Sequence, residues 1–525
     1  MYSWSYFMES VTIQRYNIYS GLSVKYGSVE LCFDPAKICK QDLYNINPDF
    51  IFISHESMDH LDPFQVYVLQ KKKNCDVFCS IAAAADLVQF FPNDTDFKEH
   101  IHALIPGSYV TTEKFVIEAE KSIHCDYMMP IVIKITDRST KISILHCFDS
   151  FLSGNIVELS KNTDIAIVPL GIAKGISGTE CLSFIDSLHS RYFVTNHFKS
   201  RKELNDFRTI TDNHDKCFYV DWNEKCCINV EGVGVVDTEK AEFNENKSEI
   251  NVAEIISNFS DFKYIVLNDE TFLKKIFEAY KDSEYKTKIK LIFLYTLIAL
   301  VDASVIDEQV IDLMKSDFLT VEIPDENNCL HAVILFFLGI YAQQSSKSCS
   351  VDFGEKLKSA NEHVIYWFTE YLGRSITSSK ENNDSVNKLI EIISNSDFYN
   401  SVVIRRRIFW ELHRVMKTFP MLAKKFMKTF EDGLVDQNPD VRLLAVLCFS
   451  LADKTMVLDD NQLEKILLLL SDEEEDVREN TVKIARDLKN RTFVMKGKDK
   501  ICFLLNDHDC HVKNEAELTV KALTQ

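Results

Sequence analysis

The segment spanning residues 50–63 constrains this chain more than any other part of its sequence. It reads FIFISHESMDHLDP, so an apolar, β-branched run leads directly into His55, Glu56, Asp59 and His60. A short loop after a buried strand can direct alternate side chains into one cavity. Because buried His and Asp side chains need partners, four ionisable residues within six positions indicate a functional site rather than a solvated loop.

Length, charge and cysteine content bound the class of protein. With 525 residues, 46% of them hydrophobic and 26% charged, the chain is expected to form two or three globular domains. The formal net charge of −20 argues against a general binder of nucleic acid or anionic membranes, because phosphate groups are held by Lys and Arg. The 15 Cys residues have no regular spacing, which fits reduced thiols in a cytoplasmic protein. The N-terminus lacks a signal-peptide pattern, and the best apolar window, Leu291–Val301, is too short to span a bilayer.

Two halves of the chain differ in the periodicity of their apolar residues. In residues 1–236, short β-runs alternate with helical segments, which predicts an α/β domain whose sheets are covered by helices. The predicted strands are Ser23–Tyr26, Val29–Phe33, Phe115–Glu118, Pro130–Thr136, Lys141–Leu145, Ile165–Pro169 and Tyr192–Thr195, and the predicted helices are Ala82–Phe91 and Thr179–His189. The polar stretch 237–249 is predicted to be a linker, because apolar residues recur at helical spacing after it.

A weak repeat runs through the last third of the chain. Pairs of an apolar and a basic residue recur at steps of 37, 36 and 35 residues: Ile404-Arg405, Val441-Arg442, Val477-Arg478 and Val512-Lys513. This pattern resembles HEAT repeats, whose helix pairs bury their apolar faces only by stacking. We therefore predict an all-α, HEAT-like domain over 401–525 and, by extension, a helical region over 250–400, with an irregular helical bundle as the alternative. Stacked helix pairs build an extended surface, so this half is predicted to bind a protein partner, a second copy of the chain included.

A known superfamily shares the motif in the first half. The residues HESMDH at 55–60 resemble the His-x-His-x-Asp-His signature of the metallo-β-lactamase fold, with Ser57 in place of the second His. His124, Asp149 and His197 follow in the order of the later motifs of that superfamily. The resemblance extends over roughly residues 10–230, and it implies an αββα sandwich with two adjacent metal sites.

The opening of the chain narrows the resemblance to one branch. Gly21–Val24, followed by Leu31–Pro35, looks like the opening hairpin of the ascorbate-phosphate lactonase-like branch. This branch implies a small substrate that is phosphorylated, cyclic or a lactone ester. Asp34, which precedes Pro35, is expected to cap a turn rather than to support the site.

The resemblance also implies two sets of metal ligands. One set would use His55, position 57 and His124, and the other would use Asp59, His60 and His197, with Asp149 shared between them. The second set is complete, whereas the first has lost an imidazole at Ser57, and a neutral hydroxyl is a poor zinc ligand. One or two divalent metals per chain are therefore implied, zinc or manganese, with Asp59 as the catalytic residue that holds or deprotonates the attacking water.

The substitution at Ser57 leaves four interpretations open. The weaker site fills through a water on Ser57, or through a substitute ligand, either Asp126 or Cys147. Alternatively the enzyme works with one metal, or catalysis is lost and the fold is kept for binding. The corresponding functions are a metal-dependent hydrolase with a protein-binding helical tail, and a catalytically degenerate scaffold for protein interactions. A third function, that of an RNA-processing nuclease, is disfavoured by the negative net charge of the chain.

Overall fold

The computed structural model describes residues 9–17, 19–91, 93–123, 130–170, 178–198, 201–211, 216–221, 224–234, 270–320, 329–345, 362–378, 383–488 and 490–524. The chain divides into two compact units, with the boundary between Ile298 and Ala299. That division falls inside a helix, Tyr285–Asp302. The linker predicted at 237–249 lies outside the described residues, so the predicted domain boundary there stays a prediction.

The strands of the first unit form two seven-stranded sheets. In chain order the strands are β1 (Glu9–Arg15), β2 (Leu22–Tyr26), β3 (Val29–Phe33), β4 (Phe50–Ile53), β5 (Asp76–Ser80), β6 (Ile101–Leu104), β7 (Ser108–Thr111), β8 (Phe115–Lys121), β9 (Ile131–Asp137), β10 (Ser143–His146), β11 (Ile165–Pro169), β12 (Tyr192–Asn196), β13 (Cys217–Tyr219) and β14 (Lys225–Val230). One sheet has the order β14-β1-β2-β3-β4-β5-β6, and the other has the order β13-β12-β11-β10-β9-β8-β7.

Helices follow several of these strands. They are α1 (Lys40–Asn45), α2 (Pro63–Lys73), α3 (Ile81–Phe90), α4 (Thr95–Glu99), α5 (Gly154–Leu159), α6 (Gly178–Ser187), α7 (Arg201–Ile210) and α8 (Glu270–Asp282). The start of α2 shows why the loop after β4 ends where it does. Asp62 caps the helix by accepting hydrogen bonds from the N–H groups of Phe64 and Gln65, and Pro63 occupies the first helical position, where its missing N–H costs nothing.

The two sheets pack face to face around one apolar core. Alternate residues of β9, such as Ile131 and Ile133, lie in that core together with Val11 and Phe52 of the other sheet. The intervening Val132 points to the opposite face and packs beneath α5, α6 and α7. Apolar residues on both faces of the second sheet are typical of a sheet that is covered on both sides. This architecture confirms the predicted α/β sandwich.

The helical part continues from α9 (Tyr285–Asp302). Its elements are α10 (Glu308–Thr320), α11 (Cys329–Ser345), α12 (Glu362–Ser378), α13 (Asn383–Ser394), α14 (Ser396–Tyr399), α15 (Val402–Thr418), α16 (Ala423–Gly433), α17 (Pro439–Asp453), α18 (Asp460–Leu468), α19 (Glu475–Asp487), α20 (Arg491–Lys496), α21 (Lys498–Phe503) and α22 (Cys510–Thr524), with 3₁₀ turns at Ala303–Val305, Pro420–Leu422, Leu469–Ser471 and Leu504–Asn506. Among the described helices, none combines the length and the apolar character that a membrane span requires. The HEAT-like repeat is confirmed, because α15, α17, α19 and α22 stack on one another in that order.

The basic residue of the sequence repeat has a defined role in this stack. The Arg442 side chain donates from Nε and Nη2 to both oxygens of Asp472, at 2.8 and 2.7 Å, and Nη1 donates to the carbonyls of Asp436 and Gln437. Arg405 makes the same two-pronged contact with Asp436. Arg478 makes it with Asp507. Each guanidinium therefore ties the turn of its own repeat to the turn of the next one.

Candidate metal centre

The candidate site lies where parallel strands of both sheets end. Strand β3 runs parallel to β4, and β10 and β12 both run parallel to β11. Asp34 follows β3, the loop 54–60 follows β4, and Asp149 and His197 come shortly after β10 and β12. Ligands of α/β sheets bind outside the carboxyl ends of the strands, and these side chains converge at such an edge.

Two groups of potential metal ligands meet there. Within each group, one ligand atom from every residue lies within 4.8 Å of the others: the groups are His55, His60 and Asp149, and Asp59, His60 and His197. The sequence assigned Asp149 to both sites, whereas in the structure His60 belongs to both groups. Its Nε2 lies 3.3 Å from Asp149 Oδ2 and 3.6 Å from Asp59 Oδ2. His55 Nε2 approaches Asp149 Oδ2 at 3.8 Å, and His197 Nε2 approaches Asp59 Oδ2 at 4.0 Å.

Asp34 fixes the orientation of the shared histidine. Its Oδ2 lies 2.6 Å from His60 Nδ1, and Ser54 donates to the same carboxylate from its backbone N–H at 2.8 Å and its hydroxyl at 2.9 Å. A proton on Nδ1 leaves Nε2 pointing toward the ligand groups, and a carboxylate behind a ligating histidine is a common arrangement in metal sites. Asp34 also makes a turn, since Ala36 N–H donates to its carbonyl, but its side chain supports the site.

Ser57 contacts Asp59 in the structure. Its hydroxyl donates to Asp59 Oδ1 at 2.5 Å, while Oδ2 of the same carboxylate is the oxygen that faces His60 and His197. The residue that departs from the signature therefore holds the neighbouring carboxylate in a fixed orientation.

The site is strongly charged. Burial opposes ionisation of Asp59, but the charges of His60 and His197 outweigh it and hold the pKa of Asp59 well below its usual range. Burial likewise opposes the charged form of His60, yet Asp149, Asp59 and Asp34 raise the pKa of His60 well above its ordinary value. Three carboxylates thus surround one imidazole, which makes the site attractive to a cation.

The donor set fits a divalent metal. His60 is buried, and its Nε2 makes no hydrogen bond to any described residue. It lies 3.3 Å from Asp149 Oδ2 and 3.6 Å from Asp59 Oδ2, so a cation bound to it would be close to both carboxylates. Asp59, His60 and His197 supply the two imidazoles and one carboxylate that zinc accepts in catalytic sites. The group of His55, His60 and Asp149 offers the same set of ligand types, and the two groups compete for His60.

Three other residues were predicted as ligands of the first site: His124, Asp126 and Cys147. His124 and Asp126 lie outside the described residues. Cys147 packs in the apolar cluster under α5 and α6, where burial raises the pKa of its thiol, and it belongs to neither ligand group of the described residues. Period two does not continue from Cys147 to Asp149, because β10 ends at His146 and Phe148 has a φ of 51°.

His146 is a structural residue in this arrangement. Its Nδ1 accepts a hydrogen bond from Phe148 N–H at 2.9 Å, and its ring stacks on that of Phe148, with the ring centroids 4.0 Å apart. Burial holds the pKa of His146 well below its ordinary value, so the ring stays neutral. A buried neutral imidazole that packs against the rings of Phe33 and Phe148 has a structural role.

Comparisons with known proteins found one matching family and several solved structures that resemble this chain. The family described as non-SMC mitotic condensation complex subunit 1 (Cnd1) matches residues 403–524. Igni18, a novel metallo hydrolase from Ignicoccus hospitalis KIN4/I, is 15% identical, with 42% of this chain and 99% of that chain covered at a TM-score of 0.35. The metallo-β-lactamase fold protein YhfI from Bacillus subtilis is 17% identical, with 42% and 99% covered at 0.34.

The helical part has its own structural neighbour. An archaeal HEAT-like repeats protein from Thermococcus onnurineus NA1 is 12% identical, with 54% of this chain and 98% of that chain covered at a TM-score of 0.28. No curated protein matches the chain. Because all three TM-scores are below 0.5, the fold assignment rests on the sheet order and the helix stacking described above.

Proposed function

We propose that this chain is a metal-dependent hydrolase whose helical repeats bind a protein partner. The observation that carries the proposal is the position of the buried His60 Nε2, which lies 3.6 Å from Asp59 Oδ2 and 3.3 Å from Asp149 Oδ2. Asp34 holds this nitrogen in place from behind. A histidine that is fixed on one side and directed at two carboxylates on the other is built to hold a cation.

In the proposed reaction, the metal and the side chains of this protein have different roles. When bound, a divalent metal lowers the pKa of water toward about 7 and polarises a carbonyl or phosphoryl oxygen. Asp59 stays ionised, so it can accept a hydrogen bond from an attacking water and orient it. Ser57 keeps that carboxylate in one rotamer. The substrate class is proposed from the resemblance to the lactonase-like branch: a small phosphorylated, cyclic or lactone ester.

The metal count tests this proposal. We propose that Asp59, His60 and His197, with Asp149 beside them, hold one divalent metal, zinc or manganese, and that the His55 group is weak. Purified protein is expected to carry about one metal per chain, because both groups depend on the single Nε2 of His60, which can bind one metal. Ser57→His is expected to raise the content toward two and Asp149→Ala to lower it, as measured by plasma mass spectrometry of the dialysed protein.

A second variant separates the added ligand from the lost hydrogen bond. Ser57→Ala removes the hydroxyl that contacts Asp59 without supplying an imidazole, so its metal content is expected to stay near one or fall. Two firmly bound metals in the unmodified chain would contradict the weak-site assignment and require a further ligand such as His124 or Asp126. No metal under any supplement, and none after Ser57→His, would leave the alternative function, a degenerate fold that serves as a protein-interaction scaffold.

The domain map is proposed together with the function. We propose a hydrolase domain over 1–236, a linker over 237–249, a helical region over 250–400 and HEAT-like repeats over 401–525, in a cytoplasmic protein. Limited proteolysis of the full chain is expected to cut first within 237–249, because that stretch is polar and carries no periodic apolar pattern. First stable fragments whose ends map inside 1–236, by mass spectrometry, would show that this map is wrong.

A further inference from the structure

Two turns bring a lysine and a tyrosine to the edge of the metal centre. Lys37 lies in the turn after β3, and Tyr19 lies in the turn between β1 and β2. Lys37 Nζ donates a hydrogen bond to the Tyr19 hydroxyl at 3.3 Å and lies 4.6 Å from the centre of its ring. We call this pair the Lys37–Tyr19 clamp.

A buried asparagine braces both turns. The Asn17 side chain accepts hydrogen bonds from the N–H groups of Tyr19 and Gly21, at 2.9 and 3.0 Å, and donates to the carbonyl of Ala36 at 2.6 Å. A Cβ on Gly21 would lie 2.3 Å from Asn17 Nδ2, so only glycine permits this close approach. The clamp is therefore held by the backbone of two turns rather than by flexible side chains alone.

The clamp borders the second ligand group directly. The Tyr19 ring meets the His197 ring edge to face at 5.8 Å, and His197 N–H donates to the Tyr19 carbonyl at 3.3 Å. Because the Tyr19 side chain contacts both Lys37 and His197, Lys37 places a positive charge one aromatic side chain away from the second ligand group.

Strained backbone marks the same place. Lys37 has a φ of 52°, and Asp34, Phe148 and His197 also have positive φ values. Left-handed backbone is unfavourable for residues other than glycine, and such strain persists where a functional geometry requires it. Four of the seven non-glycine residues with positive φ in the described part of the chain thus lie shortly after strands that end at this site.

We propose that the Lys37–Tyr19 clamp binds an anionic group of the substrate, a phosphate or a carboxylate, beside the metal centre. The proposal rests on the proposed function. A divalent metal held by Asp59 and His197 would add a second positive charge near the Tyr19 ring, which Lys37 already contacts. An anion between the two would offset this like-charge repulsion, and the tyrosine hydroxyl would donate a further hydrogen bond to it.

Isothermal titration of the full-length, zinc-loaded protein with inorganic phosphate tests this proposal, with acetate as the second probe. Phosphate is expected to bind about tenfold or more weakly to Lys37→Ala than to the unmodified chain, since one charge-assisted contact is lost. Tyr19→Phe is expected to weaken phosphate less, and Lys37→Arg to retain it. Acetate distinguishes the two sources of the anion, because a carboxylate subsite would bind acetate more tightly than phosphate and still depend on Lys37.

Controls separate the clamp from the metal centre. Lys37→Asn suits the positive φ better than Ala and guards against a folding defect, and Lys202→Ala removes an exposed lysine from α7. Metal content is expected to stay unchanged in Lys37→Ala. A loss of metal would mean that Lys37 supports Asp59, and it would overturn the proposal. Unchanged phosphate affinity in Lys37→Ala would overturn it as well. A chain that holds no metal but binds phosphate through Lys37 would contradict the proposed hydrolase function. The proposed anion site at the clamp would remain supported.

Discussion

Replacement of His60 by alanine is expected to remove metal from both ligand groups at once. His60 is the residue that the two groups share, and its Nε2 lies closer to Asp149 Oδ2 than His55 Nε2 does and closer to Asp59 Oδ2 than His197 Nε2 does. Loss of a partner behind a ligand typically costs 10–100-fold in metal affinity, so loss of the ligand itself is expected to cost more than about 100-fold. Zinc titration against a competing chelator measures this change.

Two further variants make the His60 result interpretable. Asp34→Asn keeps the imidazole but weakens its anchor, and it is expected to fall within the 10–100-fold range. His102→Ala removes a half-buried histidine on β6 that contacts Asp76 and belongs to neither ligand group, so it serves as the matched control. Metal affinity of His60→Ala equal to that of His102→Ala would show that the ligand groups do not bind the metal together.

The sequence predicted the first half of the fold well because its signals are local. Buried β-branched runs bounded by turn residues gave strands at Ile165–Pro169 and Val29–Phe33 with the bounds that the structure has. Short edge strands such as β13 and β7 were missed, since three or four residues of mixed polarity carry no clear alternation. Their pairing depends on neighbours that are distant in the chain, which a local pattern does not contain.

The site was predicted in part for the same reason. A loop motif places His55, Asp59 and His60 together without knowledge of the fold, and the strand ends place Asp149 and His197 at the same edge. The role of Asp34 depends on β3 lying beside β4, a pairing that a single sequence does not state. The residues before Asp34 and in the loop after β4 do not predict that the Asp34 carboxylate contacts both Ser54 and His60.

The repeat shows how a weak sequence signal gains meaning from structure. A recurring apolar-basic pair was sufficient to predict stacked helices, but only the structure shows why the basic residue is there. Arg405, Arg442 and Arg478 each reach an aspartate one repeat later. At the last pair the basic residue is Lys513, whose ammonium cannot make the two-pronged contact of a guanidinium.

The apolar residue of each pair carries the stability of the stack, and Val477→Asp is expected to unfold the terminal repeats. Val477 is 1% exposed at the start of α19, which packs between α17 and α22. An uncompensated carboxylate there costs about 3–5 kcal/mol, which is comparable with the stability of a small domain. Because each repeat contacts only its neighbours, the loss is expected to spread through α19 and α22 rather than through the whole chain.

Val457→Asp provides the matched control for this substitution. Val457 is 85% exposed in the loop before α18, so the same chemical change is expected to alter stability by about 0.5 kcal/mol or less. Urea unfolding followed by circular dichroism compares the two variants, and amide hydrogen exchange locates the lost protection. Equal midpoints for the two variants, with protection retained in α19, would mean that Val477 is not the core position of its repeat. A difference confined to the terminal helices is the expected result, and it would assign Val477 to the core contact of its repeat.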